Sequence, residues 1–338
     1  MPIESIETQY SYKKHNNQAL INIPKIDSNS IESISITNVK TCYNVDFDEL
    51  NLKYGIPKNP KYRDIIINEL LFNPEEGGSD FIEVYNNSSN PFDLSRLAFS
   101  KKTNETEFEE PFQLKKNPFL LLPKEYYAVC SDKYWLKNTF PKAINVIESN
   151  IPSMNNDSGN IVLLSLSAEL IDEVNYKESW HFKELKKNEN ISLEKINPEH
   201  YNIASSWTSA SFSHDYATPG YENSNFTPKE TIENLFTLKS KIISPNSDGY
   251  QDQLILHYKL SNTNWTAKIS VINSSGVTLH VVYPNILLGT NGFVNWDGIL
   301  NNKSTIKPGI YALHIVAYNS KYREKLTKKM IFYVNGKL

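Results

Sequence analysis

The chain has 338 residues, 39% hydrophobic and 12% aromatic, with 38 acidic against 35 basic side chains and a formal charge of -3. Only Arg63, Arg96 and Arg323 are arginines, which argues against nucleic acid as a partner, because its recognition leans on basic surfaces and guanidinium forks. No apolar run reaches the roughly 18 residues that would span a bilayer, so no transmembrane segment is expected.

This length suits two domains and a remainder. Twenty Tyr, fifteen Phe and seventeen Pro beside only twelve Gly indicate strands joined by many turns. The start, Met1-Pro-Ile-Glu-Ser-Ile-Glu7, lacks the charged then apolar character of a signal peptide, so an exported protein would be present here in processed or truncated form. Residues 1–60 carry short β-like runs, Gln18-Ala-Leu-Ile-Asn-Ile23, Ile31-Glu-Ser-Ile-Ser-Ile36 and Tyr43-Asn-Val-Asp-Phe47. Three or four strands cannot close a sandwich of about seven, so this stretch reads as part of an Ig-like module, or as strands that pair onto the next domain. Pro57-Lys-Asn-Pro60 then forms a stiff linker.

From Arg63 the pattern is denser. Ile65-Ile-Ile-Asn-Glu-Leu-Leu-Phe72 is an apolar run of strand length, and Asp80-Phe-Ile-Glu-Val-Tyr-Asn86 alternates with period two. Further strands are expected at Phe119–Leu122, Tyr126–Cys130, Ile161–Leu166 and Leu170–Tyr176, each bounded by Pro, Asn, Asp or Gly. Helix is expected only in short pieces, around Lys133–Phe140 and Phe182–Lys187. Residues 61–225 thus predict one β-sandwich. The polar stretch Glu222–Thr231 reads as a linker to a second sandwich at 226–338. There Leu254, Leu256, Tyr258 and Leu260 share one face of a strand, and Ile269–Ile272, Ile310–Tyr318 and Met330–Val334 supply others. Cys42 and Cys130 are read as two buried free thiols, the alternative being a disulfide that closes a long loop.

Two segments resemble known families. Ile65-Ile-Ile-Asn-Glu-Leu-Leu-Phe-Asn-Pro74, Gly78-Ser-Asp-Phe-Ile-Glu-Val-Tyr-Asn86 and Asp93-Leu94 resemble the opening of the bacterial lamin-tail domain family. Trp180-His-Phe182, Ile191–Pro198, Trp207-Thr-Ser-Ala210 and Tyr216-Ala-Thr-Pro-Gly-Tyr-Glu-Asn-Ser224 resemble how those domains end. The C-terminal hundred residues resemble the FlgD-like Ig domain of secreted Bacteroidetes proteins. This rests on Ser244-Pro-Asn-Ser-Asp-Gly-Tyr-Gln-Asp252, Trp296-Asp-Gly298 and Lys307-Pro-Gly-Ile-Tyr311. Two departures stand out: Ser247 replaces the usual Gly, and Lys303-Ser304 stands where an Asn-Gly type of turn is expected. Thr41-Cys-Tyr-Asn44 falls where the module that often precedes this pair would end. The resemblance implies an all-β chain of tandem Ig-like β-sandwiches with a partial Ig-like segment at the N-terminus. It also implies a non-catalytic, extracellular or cell-surface protein exported by the type IX route.

The candidate chemistry is sparse. Asn246, Asp248 and Asp252, with the carbonyls near Gly249, could supply oxygens to a calcium ion, since alternating Asn and Asp around a Gly bend is how short loops cage it. The same residues also suit a polar turn capped by its own Asx hydrogen bonds. Glu69, Asp80 and Glu83 form a second acidic grouping, readable as paired carboxylates for acid–base or metal-dependent hydrolysis, or as structural strand residues facing solvent or capping a neighbour. His181, between Trp180 and Phe182, is readable as a base or as a hydrogen-bonded member of an aromatic corner. Trp296-Asp-Gly298 reads as a core anchor followed by a turn. No GxSxG, HExxH, GxxxxGK[ST] or GxGxxG motif is present. The expected role is adhesion, binding or module presentation, without a cofactor and with a protein or glycan partner. The alternative is an accessory region of a secreted hydrolase or nuclease.

Overall fold

The computed structural model describes residues 31–40, 46–104, 107–227 and 234–336. Among them, β1 (Ile31–Lys40) and β2 (Asp46–Gly55) pair antiparallel as a two-stranded sheet. The expected strand at Gln18–Ile23, the Thr41–Asn44 segment and Cys42 lie outside the described residues.

The following unit contains β3 (Ile65–Leu71), β4 (Phe81–Asn86), β5 (Phe92–Asp93), β6 (Leu97–Ser100), β7 (Phe112–Gln113) and β8 (Leu120–Leu121). It continues with β9 (Tyr126–Cys130), helix α1 (Lys133–Thr139), β10 (Val146–Glu148), β11 (Ser158–Ser165), β12 (Leu170–Lys177), β13 (Leu193–Lys195) and β14 (Trp207–Ser209). A six-stranded sheet in the order β10-β9-β4-β3-β13-β14 faces a four-stranded sheet in the order β12-β11-β6-β7. Their inner faces meet in a core that includes Ile65, Leu70, Phe72, Phe99, Leu163, Val174 and Leu193.

Every residue of β3 is buried, because both faces of the strand are covered. A bulge between Ile67 and Glu69 shifts the alternation, so that Ile65 and Ile67 point into the core before it, and Leu70 and Phe72 after it. Glu69 therefore faces outward from the sandwich. There a second apolar cluster, with Leu71, Phe81, Ala128, Cys130, Leu136, Phe140 and Ala217, packs α1 against the sheet. The Asp132 side chain accepts the Trp135 N–H at 2.8 Å and caps α1. Phe182–Lys187, expected as helix, is a chain of turns closed by Leu185 N–H to the Phe182 carbonyl. Six residues of helix-favouring composition are too few to offset nucleation without an apolar face to bury.

The last unit holds β15 (Leu235–Leu238), β16 (Ile242–Ile243), β17 (Leu254–Lys259), β18 (Trp265–Ile272), β19 (Thr278–Leu288), β20 (Asn291–Trp296), β21 (Gly309–Asn319) and β22 (Glu324–Val334). Sheets ordered β15-β17-β20 and β16-β22-β21-β18-β19 enclose a separate core around Trp265, Trp296, Ile315 and Phe332. In β17, Leu254, Leu256 and Tyr258 are buried while His257 and Lys259 are exposed, as the alternation requires. The architecture is all-β, with tandem Ig-like β-sandwiches.

Candidate functional site

The acidic grouping is a row of three glutamates crossing the outer face of the six-stranded sheet. Glu83 lies opposite Glu69 in the β4/β3 register, and Glu194 lies opposite Glu69 across β13/β3. All three are fully buried. The segment from Ala210 to Phe226 lies over them and supplies donors. Glu69 accepts the Thr218 N–H at 2.8 Å and the Ser192 hydroxyl at 2.5 Å. Glu83 accepts the Asn68 side-chain amide at 2.8 Å and the Gly220 N–H at 2.6 Å. Glu194 accepts the Ser224 and Asn225 N–H groups, both at 3.0 Å, and also the Ser224 hydroxyl and the Asn225 side-chain amide. The backbone is shaped for this. Gly220 sits at φ +91, and a Cβ there would lie 1.8 Å from the Ile144 carbonyl oxygen.

Burial, then the neighbouring Glu194 charge, pushes the Glu69 carboxyl up to about 8 despite its donors. Burial and the charge of Glu69 raise Glu83 well above the ordinary carboxylate range, and burial also raises Glu194. Asp80 stands apart from the row. It accepts the Met154 N–H at 3.2 Å, and burial raises it to about 6 against the pull of that bond and of Lys101. The structure thus brings Glu69 and Glu83 together with Glu194, which the sequence reading missed, and leaves Asp80 out. Glu83, expected to face solvent or cap a neighbour, is enclosed. Each carboxyl meets protein donors, and the row is shut off from solvent. Among the described residues no grouping of three or more His, Cys, Asp or Glu is placed to hold a metal ion.

Asn246, Asp248 and Asp252 occupy the loop before β17. Asp252 accepts the Asn246 and Ser247 N–H groups on Oδ1, at 3.1 and 2.7 Å, and the Gly249 N–H on Oδ2 at 2.8 Å. Asp248 accepts the Tyr250 N–H and the Asn246 side-chain amide, both at 2.8 Å, and the Asn246 side chain accepts the Asp248 N–H. Every side-chain oxygen of the three residues therefore meets a donor of the loop itself. The departures noted at Ser247 and Lys303 fall where φ is 64° and 63°, the left-handed region that explains a glycine or an Asn-Gly turn in the pattern they resemble. Trp296 is buried and donates its indole N–H to the Ile299 carbonyl, with Gly298 at φ +79 completing the turn.

His181 is buried beside Phe72, its Nδ1 2.8 Å from the Ser209 hydroxyl, and burial pulls it down to about 4. It borders a cleft of about 730 Å³ that also involves Trp180, Trp207, Asn264, Ser320 and Lys321, residues drawn from both sandwiches. Cys130 is a buried free thiol, pushed up to about 12 by burial.

The two sandwiches share a polar seam. The Ser224 carbonyl accepts the Thr290 N–H at 2.9 Å, the Phe226 carbonyl accepts the Thr290 hydroxyl at 2.8 Å, and the Ser213 and Tyr258 hydroxyls lie 2.7 Å apart. A Cβ on Gly289 would lie 2.2 Å from the Ser224 oxygen. Asn223, Ser224 and Asn225, read from sequence as linker, are buried at 3%, 1% and 1% exposure.

Residues 58–178, about a third of the chain, match the family model of the Lamin Tail Domain. No curated protein matches the sequence. Among solved structures, the chain is similar to PorZ of Porphyromonas gingivalis, described as an essential bacterial surface component of the type-IX secretion system. Identity is 11% and the TM-score 0.26, over 96% of this chain and 40% of that one. It is also similar to dimeric latent PorU of Porphyromonas gingivalis, at 8% identity and a TM-score of 0.24, over 95% of this chain and 25% of that one. The chain therefore spans well under half the length of either. No helix of the described residues is long and apolar enough to cross a membrane.

Proposed function

We propose that this chain is a non-catalytic extracellular or cell-surface unit that holds two Ig-like sandwiches at a fixed angle and binds a protein or glycan ligand at the cleft between them. The observation that carries this reading is the buried seam: Ser224 and Phe226, anchored to the first sandwich through the glutamate row, accept from Thr290 of the second. A spacer of that kind presents loops or an attached module in a defined direction, which two sandwiches on a free tether would not do. The cleft adds a binding surface. Trp180 and Trp207 lie 6.3 Å apart at its wall, and Lys177, Lys183 and Lys321 line it.

Within this reading the chain divides into residues 1–60, 61–225 and 226–338, supported by the two separate apolar cores. The last division is a FlgD-like Ig domain, supported by the turn at Ser244–Asp252 and the buried Trp296. Type IX export of the parent protein follows from that resemblance. A glycan array probed with the full chain and with a Trp180→Ala, Lys321→Ala variant tests the binding site: binding that the variant loses supports it. Hydrolysis of generic ester, phosphate or glycoside substrates by the purified chain would overturn the non-catalytic reading.

A further inference from the structure

Lys195, at the end of β13, is buried at 1% exposure and ends in a polar pocket with no carboxylate in ion-pair contact among the described residues. Its Nζ lies 2.5 Å from Oδ1 of Asn202, shorter than an ordinary N–H···O bond. With a C=O bond of about 1.23 Å, the Asn202 Cγ is no more than about 3.7 Å from that nitrogen. On the other side of the amide, Asn202 Nδ2 lies 3.1 and 3.2 Å from the two carboxyl oxygens of Asp172 and 2.7 Å from the Glu173 carbonyl. Three acceptors around Nδ2 and an amine at Oδ1 fix which way the amide points. Asp172 is itself buried at 1% exposure and held by the Ile67 N–H at 2.8 Å.

We propose that Lys195 and Asn202 join in an intramolecular isopeptide bond, formed by the folded chain itself with Asp172 as proton carrier. The unprotonated ε-amine attacks Cγ of Asn202; the Nζ–Cγ bond forms, the Cγ–Nδ2 bond breaks, and Nδ2 leaves as ammonia. Asp172, within 3.1 Å of Nδ2, delivers its carboxyl proton to the departing nitrogen, and it recovers one from Nζ after the new Nζ–Cγ bond has drawn that nitrogen toward it, so it ends as it began. One amine and one primary amide become one secondary amide and one ammonia, and nothing is oxidised or reduced.

The surroundings suit each role. Burial pulls the Lys195 amine down to about 7, against the attraction of Asp172, so the nucleophilic neutral form is well populated near neutral pH. Burial raises the Asp172 carboxyl, favouring the protonated acid, while the Ile67 N–H and Lys195 oppose it. The Trp207 ring, 5.2 Å from Nζ, walls the amine from water. Arg63 donates to the Pro198 and His200 carbonyls at 2.7 and 2.6 Å, holding the loop so that Asn202 stays in place. A solvent-open cavity of about 240 Å³, lined by Tyr62, Arg63, Asp172 and Asn202 among others, gives ammonia a way out. The product would staple the end of β13 to the loop that leads to β14.

Intact-mass spectrometry of the full chain tests this. The expected mass is one ammonia below that of the sequence, and a tryptic peptide should run uncleaved through Lys195 with the same deficit. Lys195→Arg should restore the full mass, and Asp172→Asn should restore it or delay the loss. A wild-type chain that keeps its full mass after prolonged incubation at pH 8 would overturn the proposal. So would an ammonia loss that persists in Lys195→Arg and maps elsewhere, as a succinimide at Asn291-Gly292 or Asn335-Gly336 would.

Discussion

Glu69 and Glu194 face each other across adjacent strands, and one hydroxyl, that of Thr218, lies 3.0 Å from Glu69 Oε2 and 2.9 Å from Glu194 Oε1. A hydroxyl carries a single proton. It cannot give a full bond to both oxygens at once, whereas a proton on one of the two carboxyls, donated back to the hydroxyl, satisfies both contacts. The row is therefore a proton-sharing cluster, in keeping with the upward shift of all three acids.

The cluster sets a pH dependence opposite to that of a salt-bridged carboxylate. Glu69 moves from its ordinary 4.5 to about 8, so between those values the folded chain keeps a proton that the unfolded chain has released. Stability from this group is then complete below about pH 4.5 and falls as pH rises toward 8. Glu69→Gln mimics the protonated acid and can still meet the Thr218 hydroxyl. The difference in unfolding free energy between wild type and this variant, followed by denaturant titration from pH 5 to 9, is expected to move in the variant's favour by about 4 kcal/mol. Taking the difference cancels His181 and His214, whose downward shifts act with the opposite sign. Glu69→Ala, which strands the Thr218 and Ser192 donors, is expected to cost about 3–5 kcal/mol at pH 5, and less as pH rises toward 8 and the wild type loses its own contribution from Glu69.

Gly220→Ala combines a positive φ, a collision with the Ile144 carbonyl and displacement of the N–H that serves Glu83. The expected loss is at least about 3 kcal/mol, read as a lower denaturation midpoint. Gly77→Ala is the control: its φ is also positive, but nothing lies within 4 Å of its added Cβ.

The seam predicts coupled unfolding. Calorimetry of the wild type should show the two sandwiches melting in one transition, whereas Gly289→Ala, which forces the Ser224 carbonyl away, should split it in two. Two separate transitions in the wild type would count against a fixed angle between the sandwiches.

The loop before β17 gives a further pair of measurements. Its carboxylate oxygens are already matched by loop donors, so the melting midpoint is expected to be the same in calcium and in chelator. A rise in calcium, with binding heat in titration calorimetry, would place the ion at Asn246, Asp248 and Asp252. Ser247→Gly relieves a left-handed serine and should stabilise the chain by about 0.5–1 kcal/mol.

Much of the fold was legible in the residues. The run Ile65–Phe72, the alternation in Asp80–Asn86 and in β17, and the helix after Asp132 all carry their periods or caps locally. The glutamate row was half legible: Glu69 and Glu83 sit inside apolar runs, a mark of a buried acid, but Glu194 carries no such mark in Ser192-Leu-Glu-Lys195. Asn223-Ser-Asn225 was misread because polarity is the usual sign of a solvated linker. Nothing local to Asn223-Ser-Asn225 says that its donors meet a carboxylate about thirty residues back in the chain and its carbonyls a threonine about sixty-five residues on. Asp172, Lys195 and Asn202 were invisible for the same reason: their meeting depends on how β12 lies beside the β13–β14 connection.

The cover over the glutamate row also orders events in time. As the chain leaves the ribosome, β3, β4 and β13 can pair once residue 195 has emerged, yet the donors of Thr218, Gly220, Ser224 and Asn225 do not yet exist. Until they do, three acids on one bare sheet face repel one another and stay wet, so the first sandwich waits for its own last fifteen or so residues to close it.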